Sequence, residues 1–357
     1  MMATDSARLS LSERLHGLRT PPRAGLVRPH SPRRLLAVRR ALGTFGVTYA
    51  GGFASAAALR PDDTCVIDEW GQLTWGEVHQ RSDALAMALR AQGLAEGSVV
   101  GMMCRNHRGF IETTAALSKL GAVAVMCNTG FAGPQLREVL AREGATALLC
   151  DAEFVDLLMG DTGESGDNGE HPHLHGVLTW WAQDGDQPLG WPTIDELIAE
   201  HGGSVPPPPG RPGRTVILTS GTTGTPKGAP REQSAGIEPV VAMLDRIPYR
   251  SGETMVLPAP LFHSWGFGNL SLGLLLGSTF VLRRRFDPEQ TLADVASHRA
   301  AALVAVPVML QRILELPAEV RRRYDTSSLR IVPLSGSAIP AGLATRWMDE
   351  FGDNLYN

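Results

Sequence analysis

The run Thr219-Ser220-Gly221-Thr222-Thr223-Gly224-Thr225-Pro226-Lys227-Gly228 gathers glycines, hydroxyls and one cation in a single stretch. Glycine lets the backbone turn tightly and brings its N–H groups close to an anion. Serine and threonine hydroxyls add donors for phosphate oxygens, and a lysine adds a point charge. The chemistry that suits this set is the cradling of a polyphosphate. Lys227 and Lys119 are the only lysines among 33 basic residues, so a lysine here stands out against an arginine-rich background. The run is not a Walker A loop. That motif places glycine, lysine and a hydroxyl residue in succession, whereas here Pro226 precedes Lys227 and Gly228 follows it.

Such a loop must be held by regular structure on either side. Residues 215–219 read as a short strand leading directly into it. Upstream, Thr74 and Glu77 form a Thr-x-x-Glu capping box ahead of an apolar-periodic helix through Val78, Leu85 and Leu89, with Gly93 as its stop. Strands are predicted over 98–103, 122–127 and 145–150, alternating with helices over 110–120 and 134–143. Downstream the alternation resumes, with strands over 279–282, 302–306 and 330–334 and helices over 291–299, 308–316 and 341–351. This βαβ rhythm predicts mostly parallel sheets with helices on their faces. Residues 204–213 include Pro206 to Pro209 and read as a stiff connector. His171, His173 and His175 alternate in a Gly-flanked polar tract, which reads as solvated loop rather than as metal ligands.

Two further stretches join the first. Pro260-Leu261-Phe262-His263-Ser264-Trp265-Gly266 places an imidazole among aromatics, and Ser335-Gly336-Ser337-Ala338-Ile339-Pro340 is a small-residue turn after a strand. In order and spacing the three resemble the signature motifs of the adenylate-forming superfamily: acyl- and aryl-CoA synthetases, luciferases and nonribosomal adenylation domains. Asp68 to Trp75 resembles the opening hairpin of the acyl-CoA synthetase branch, and 99–104 and 121–128 resemble its repeated sheet units. The resemblance runs from about residue 46 to the end. It implies an α/β fold, the N-terminal domain of adenylate-forming enzymes, with two stacked, mostly parallel αβ subdomains. It divides the chain into a basic leader over 1–44 and a nucleotide-binding domain over 45–357, with the connector at 204–214 between portions 45–203 and 215–357.

The resemblance also implies a reaction and site residues. A carboxylate attacks the α-phosphorus of ATP to give acyl-AMP and pyrophosphate, and the thiol of coenzyme A then displaces AMP. Thr219, Ser220, Gly221, Thr222, Thr223, Gly224 and Lys227 would bind the β- and γ-phosphates. His263 would be the catalytic-site residue beside the substrate carboxylate, and Ser337 and Ala338 would pack against adenine. ATP, Mg²⁺ and coenzyme A are the implied cofactors, with no metal ligand among the motifs present. A fatty acid, or another carboxylate, is the implied substrate. The apolar run Leu270 to Leu276 and the basic leader are the features that favour a fatty acid, although such leucines more often belong to an ordinary core. Family members carry a Tyr-Gly-x-Thr-Glu motif, a ribose-binding aspartate and a mobile C-terminal domain with a catalytic lysine beyond the point where this sequence stops. The chain is therefore expected to be a truncated fatty acid–CoA ligase, with its terminal β subdomain and C-terminal domain missing. Poor solubility and negligible activity are expected of residues 1–357 alone. A non-catalytic nucleotide- or acyl-binding remnant, and a ligase that loads a carrier protein, are the alternatives.

Composition excludes other classes. At 43% hydrophobic and 20% charged, with a net charge of −4, the chain is globular and not a dedicated nucleic-acid binder. Cys65, Cys104, Cys127 and Cys150 lie far apart, form no CxxC pair and read as reduced buried thiols. No stretch reaches the ~18–20 apolar residues of a membrane span, and no signal-peptide core is present. A cytoplasmic location is expected. Residues 1–40 hold nine arginines against Asp5 and Glu13. Leu9, Leu11, Leu15 and Leu18 with Arg14 and Arg19 admit two readings: a solvated tail, or peripheral contact with an anionic membrane.

Overall fold

The computed structural model describes residues 24–26, 29–158, 174–182, 187–219, 227–230 and 243–357. Helices α1 (Pro32–Phe45) and α2 (Tyr49–Leu59) precede the first strands, β1 (Thr64–Asp68) and β2 (Gly71–Thr74). Then follow α3 (Trp75–Ala91), β3 (Val99–Met103), α4 (Arg108–Leu120), β4 (Val123–Met126), α5 (Gly133–Glu143), β5 (Ala147–Asp151), β6 (His175–Trp180) and α6 (Ile194–Glu200). The second half carries β7 (Arg214–Thr219), β8 (Lys227–Pro230), β9 (Thr254–Val256), α7 (Ser264–Leu276), β10 (Thr279–Val281), α8 (Pro288–Ser297) and β11 (Ala302–Leu303). Last come α9 (Pro307–Leu314), α10 (Ala318–Arg321), β12 (Val332–Pro333), α11 (Ala341–Phe351) and β13 (Leu355–Tyr356).

Two sheets result. One has the order β6-β5-β3-β4-β7-β8 and is parallel except for β8. The other has the order β11-β9-β10-β1-β2 and is parallel except for the β1–β2 hairpin. β12 extends the second sheet through bridges from Ala302 to Ile331 and from Ala305 to Leu334, and pairs in parallel with β13. β1 pairs with β10, while β7 and β8 join the sheet of β3 to β6. The connector at 204–214 therefore does not separate the sheets: the chain begins one, builds the other and returns.

Strand periodicity assigns opposite faces to different cores. Val100 and Met102 of β3 and Ala147 and Leu149 of β5 face an inter-sheet core, while Met103, Leu148 and Cys150 face the outer layer with Leu136 and Leu140 of α5. Met255 and Phe280 enter the same inter-sheet core, and Val256 and Val281 face α8, α9 and α11. Helices α2, α3, α4 and α7 fill the space between the sheets through Phe53, Trp75, Leu85, Ile111 and Leu270. Of the two readings of the run Leu270 to Leu276, ordinary core is the one observed for four of its leucines. Leu270, Leu272, Leu274 and Leu276 are consumed by this core, so they give no support to a fatty-acid pocket. All four cysteines are buried and free. The expected capping box is formed: Thr74 Oγ1 accepts from the Glu77 N–H at 3.2 Å, and the Thr74 N–H donates to Glu77 Oε2 at 2.7 Å.

One polar cluster in the core sets a pH dependence. Lys119, fully buried on α4, pairs with Asp83 of α3 at 2.6 Å and donates to the Nδ1 and the carbonyl of His79. Burial, then the charge of Lys119, pull the His79 pKa down to about 4, with Asp83 opposing. An unfolded chain protonates this imidazole near pH 6.5. Between those values the unfolded state binds more protons, so the contribution is complete above about pH 6.5 and is lost as pH falls through about 4. Allowing for the part of the ring left to solvent, about 2 kcal/mol is at stake. His79→Gln is expected to flatten the fall in stability between pH 7 and pH 4. Urea unfolding at both pH values measures the difference, and parallel wild-type and variant curves would disprove the assignment.

Candidate functional site

In open α/β sheets ligands bind outside the carboxyl ends of parallel strands. Three segments singled out by sequence sit at such ends. β9 runs into Leu257 to His263, β12 runs into Ser335 to Ala338, and β7 ends at Thr219, where the glycine- and hydroxyl-rich run begins. Ser220, Gly221, Thr222, Thr223 and Gly224 lie outside the described residues. Their frame is described: β7 and β8 form an antiparallel hairpin in which Thr219 pairs with Lys227. The run is therefore the connection of a β-hairpin on the six-stranded sheet, beside β4.

The second segment folds back on itself before α7. The His263 N–H donates to the Pro260 carbonyl at 3.1 Å, and His263 is the N-cap of α7, with its own carbonyl accepting from the Phe267 N–H at 2.9 Å. Gly266 is required by this return, since a Cβ there would stand 2.2 Å from the Pro260 carbonyl oxygen. The His263 ring is open to solvent along one side and packs on Phe262, with ring centroids 4.4 Å apart. The surrounding protein desolvates it and holds its pKa below the ordinary value. At pH 7 it is accordingly a neutral imidazole, able to donate or accept one hydrogen bond without carrying charge.

The third segment is tied to the second. Trp265 Nε1 donates to the Ala305 carbonyl at 3.0 Å, and Ala305 bridges to Leu334, the residue before Ser335. Gly336 takes φ +95°, a conformation that L side chains rarely adopt, so the turn bends there and leaves Ser337 and Ala338 exposed. Small exposed side chains on such a turn leave a flat approach for a ring. His263 thus follows the carboxyl end of β9, and Ser337 and Ala338 that of β12, two strands that flank β11, while Thr219 and Lys227 stand on the other sheet.

Asn106, which the sequence reading did not single out, holds the His263 segment in place. It is buried at the start of the β3–α4 connection. Its Nδ2 donates to the carbonyls of Leu257 at 3.0 Å and Ala259 at 2.9 Å, and its Oδ1 accepts from the Leu261 N–H at 2.9 Å. One amide from the first sheet's layer thereby satisfies three backbone groups at the edge of the second. No local pattern marks Asn106, because its partners lie more than 150 residues away. Asn106→Ala leaves those groups buried without partners and is expected to destabilise the protein by about 2 kcal/mol. Urea unfolding measures it, and an unchanged midpoint would show the clamp to be dispensable. A second feature also escaped the sequence reading. Arg105, Arg284 and Arg285 converge on Glu153, whose pKa their hydrogen bonds hold down to about 2, and Trp70 stacks on Trp180 at 3.7 Å. These contacts fasten the two sheets together on the same side as the site.

Residues 53–357 match the model of the AMP-binding enzyme family. The chain belongs to that family. Among its relatives, a feruloyl-CoA synthase of Amycolatopsis sp is 31% identical over 303 residues, covering 82% of this chain and 55% of the relative. An indoleacetate–CoA ligase of Aromatoleum aromaticum is 29% identical, covering 80% of this chain and 54% of the relative. The chain spans about half the length of the curated relatives it matches. In fold, this AMP-binding domain resembles the anthranilate CoA ligase AuaEII in complex with anthranoyl-AMP, with a TM-score of 0.75 at 22% identity, over 86% of this chain and 58% of the other. It also resembles the N-terminal domain of FACL13 from Mycobacterium tuberculosis, with a TM-score of 0.70 at 20% identity, over 85% and 73% of the two chains. The expected fold class, the N-terminal domain of adenylate-forming enzymes, is thus the observed one.

The Gly336 turn carries two small exposed side chains, and the β7–β8 hairpin pairs Thr219 with Lys227 at either end of the glycine- and hydroxyl-rich run. No group of three His, Cys, Asp or Glu side chains stands together among the described residues.

Proposed function

We propose that this AMP-binding domain binds ATP and a carboxylate for an AMP-forming acid–CoA ligase, and that the carboxylate bears an aromatic ring. One observation carries the reading. The His263 segment, the Gly336 turn and the hairpin holding the glycine-hydroxyl loop all open from carboxyl ends of parallel strands. What supports an aryl acid over a fatty acid is twofold: Leu270, Leu272, Leu274 and Leu276 of α7 are spent in the core, and curated relatives are named for ferulate, indoleacetate and 4-coumarate.

In this reading the run 219–227 binds the β- and γ-phosphates, with backbone and hydroxyl donors spreading charge as a carboxylate anion approaches a polyanion. Ser337 and Ala338 lie against the adenine. His263, uncharged at neutral pH, walls the carboxylate end of the acyl pocket and offers one hydrogen bond without a competing positive charge. Bound Mg²⁺ supplies further charge neutralisation on the phosphates, and coenzyme A supplies the accepting thiol.

Pyrophosphate exchange with ATP, Mg²⁺ and single carboxylates tests this in the full-length protein. Ferulate, 4-coumarate or indoleacetate should outpace palmitate at least tenfold. Preference for palmitate would overturn the aryl assignment and leave the ligase. No Mg–ATP binding by calorimetry would overturn the ligase.

A further inference from the structure

Helix α1 (Pro32–Phe45) is well formed yet buries no residue. Pro32 occupies its first turn, the Arg34 N–H donates to Ser31 Oγ at 3.4 Å, and Gly46 closes its far end by donating to the Leu42 carbonyl at 2.9 Å. Its half-buried side, Ala37, Val38, Ala41 and Phe45, is turned to the protein, where α2 packs. Its outer side carries Leu35, Leu36 and Leu42 at 52%, 46% and 41% exposure, and Val47 just beyond is 83% exposed. Arg33, Arg34, Arg39 and Arg40 are exposed around them, and the helix holds no acid.

At about 100° per residue, Leu42, Leu35 and Leu36 fall within an arc of roughly 120°, with Arg39 inside it and Arg40 and Arg33 about 40° and 60° beyond it, while Arg34 falls on the inward side, where it lines a cleft with Asp62 and Asp63. Solvent alone gives no reason for three leucines and a valine to stand outward on a surface helix. Their setting among arginines selects the occupant. Arginine stems lie along an apolar surface while their guanidinium groups reach anionic headgroups. Other occupants fit less well. Residues 1–23 carry Arg8, Arg14, Arg19 and Arg23 against Asp5 and Glu13 and so share the helix's positive sign. The same helix on a second copy shares it too.

We infer that the outer face of α1 docks on an anionic lipid surface, with Leu35, Leu36, Leu42 and Val47 entering the headgroup boundary and Arg33, Arg39 and Arg40 pairing with lipid phosphates. This places the contact on the helix. The Leu9–Leu18 segment, which by sequence admits a solvated tail or a membrane contact, lies outside the described residues. Among the described residues no helix is long and apolar enough to cross a membrane, so the contact is peripheral. It does not depend on the ligase reading.

Co-sedimentation with phosphatidylcholine vesicles containing phosphatidylglycerol, against pure phosphatidylcholine, tests it without an activity assay. The wild type should partition to the anionic vesicles and be released by salt. Each cation near an anionic surface is worth about a fivefold gain in partitioning, so replacing Arg33, Arg39 and Arg40 by glutamine should lower it on the order of 10²-fold. Leu35→Ser, Leu36→Ser and Leu42→Ser together should lower it more than tenfold, with an unchanged circular dichroism melt because no buried residue is altered. Deletion of residues 2–23 should leave most of it. Absence of partitioning, its retention in the leucine variant, or its full loss on deleting 2–23 would each overturn the inference. So would a monomer–dimer shift in the leucine variant by sedimentation velocity without vesicle binding, which would make a second copy the occupant.

Discussion

Arg108→Met is expected to destabilise the protein by about 3–5 kcal/mol, the usual consequence of leaving one partner of a buried ion pair uncompensated. Asp68, at the carboxyl end of β1, is buried. It accepts from Arg108 Nη2 at 2.5 Å, from Arg108 Nε at 2.9 Å and from the backbone N–H of Arg108 at 2.9 Å, and from the Trp70 N–H at 3.0 Å. The variant keeps the two backbone donors and loses the guanidinium that is hydrogen-bonded to that carboxylate. The pair joins the end of β1 in one sheet to the start of α4, which follows β3 of the other, so it ties together the two layers whose strand ends carry the site. Adding Asp68→Asn to Arg108→Met removes the stranded charge and should recover at least half of the loss. A urea-unfolding double-mutant cycle reads both numbers. A loss under about 1 kcal/mol for Arg108→Met would mean that the pair does no more than a surface bridge does.

Thr222→Val is expected to lower ATP-dependent pyrophosphate exchange in the full-length protein by about 10²–10³-fold, or about 3–4 kcal/mol of transition-state stabilisation. Valine matches threonine in shape and removes one hydroxyl donor, so the change isolates a hydrogen bond from packing. Adenylation gathers negative charge on a polyphosphate, and a preorganised donor there costs no reorganisation when the charge moves. Thr222 belongs to the segment outside the described residues. Its expected role follows from the residue types of the run and from the hairpin that pairs Thr219 with Lys227 at its base. Wild-type exchange in this variant would remove the phosphate-binding role from Thr222. Weakened exchange with unaltered Mg–ATP affinity would place the donor's effect in the transition state rather than the bound substrate.

The sequence reading and the structure part company in an orderly way. Helix α11 (Ala341–Phe351) falls where its apolar spacing and the preceding proline put it, and the Thr74–Glu77 box opens α3 as read. Both signals are local. Helix α7 went unread because its apolar residues run almost unbroken, which gives no helical stripe to detect; it is apolar all round because the inter-sheet core surrounds most of it. Helix α1 went unread for the opposite reason, since proline and arginine in a basic leader resemble a tail, and its outward leucines break the rule that apolar residues point inward. Asn106 and Arg108 carry no signature at all, because what distinguishes them is a partner on the other sheet.

The amino-acid sequence by itself determined the alternation of strands and helices and the three short motifs that mark an AMP-binding enzyme, because both depend on residues within a few positions of each other. Only the tertiary structure decided that β1 pairs with β10, that Leu270, Leu272, Leu274 and Leu276 of α7 fill the core rather than a pocket, and that one buried amide holds the His263 segment. Those outcomes arise from contacts between residues far apart in the chain, whose free energy exists only once the two sheets have closed on a common set of helices.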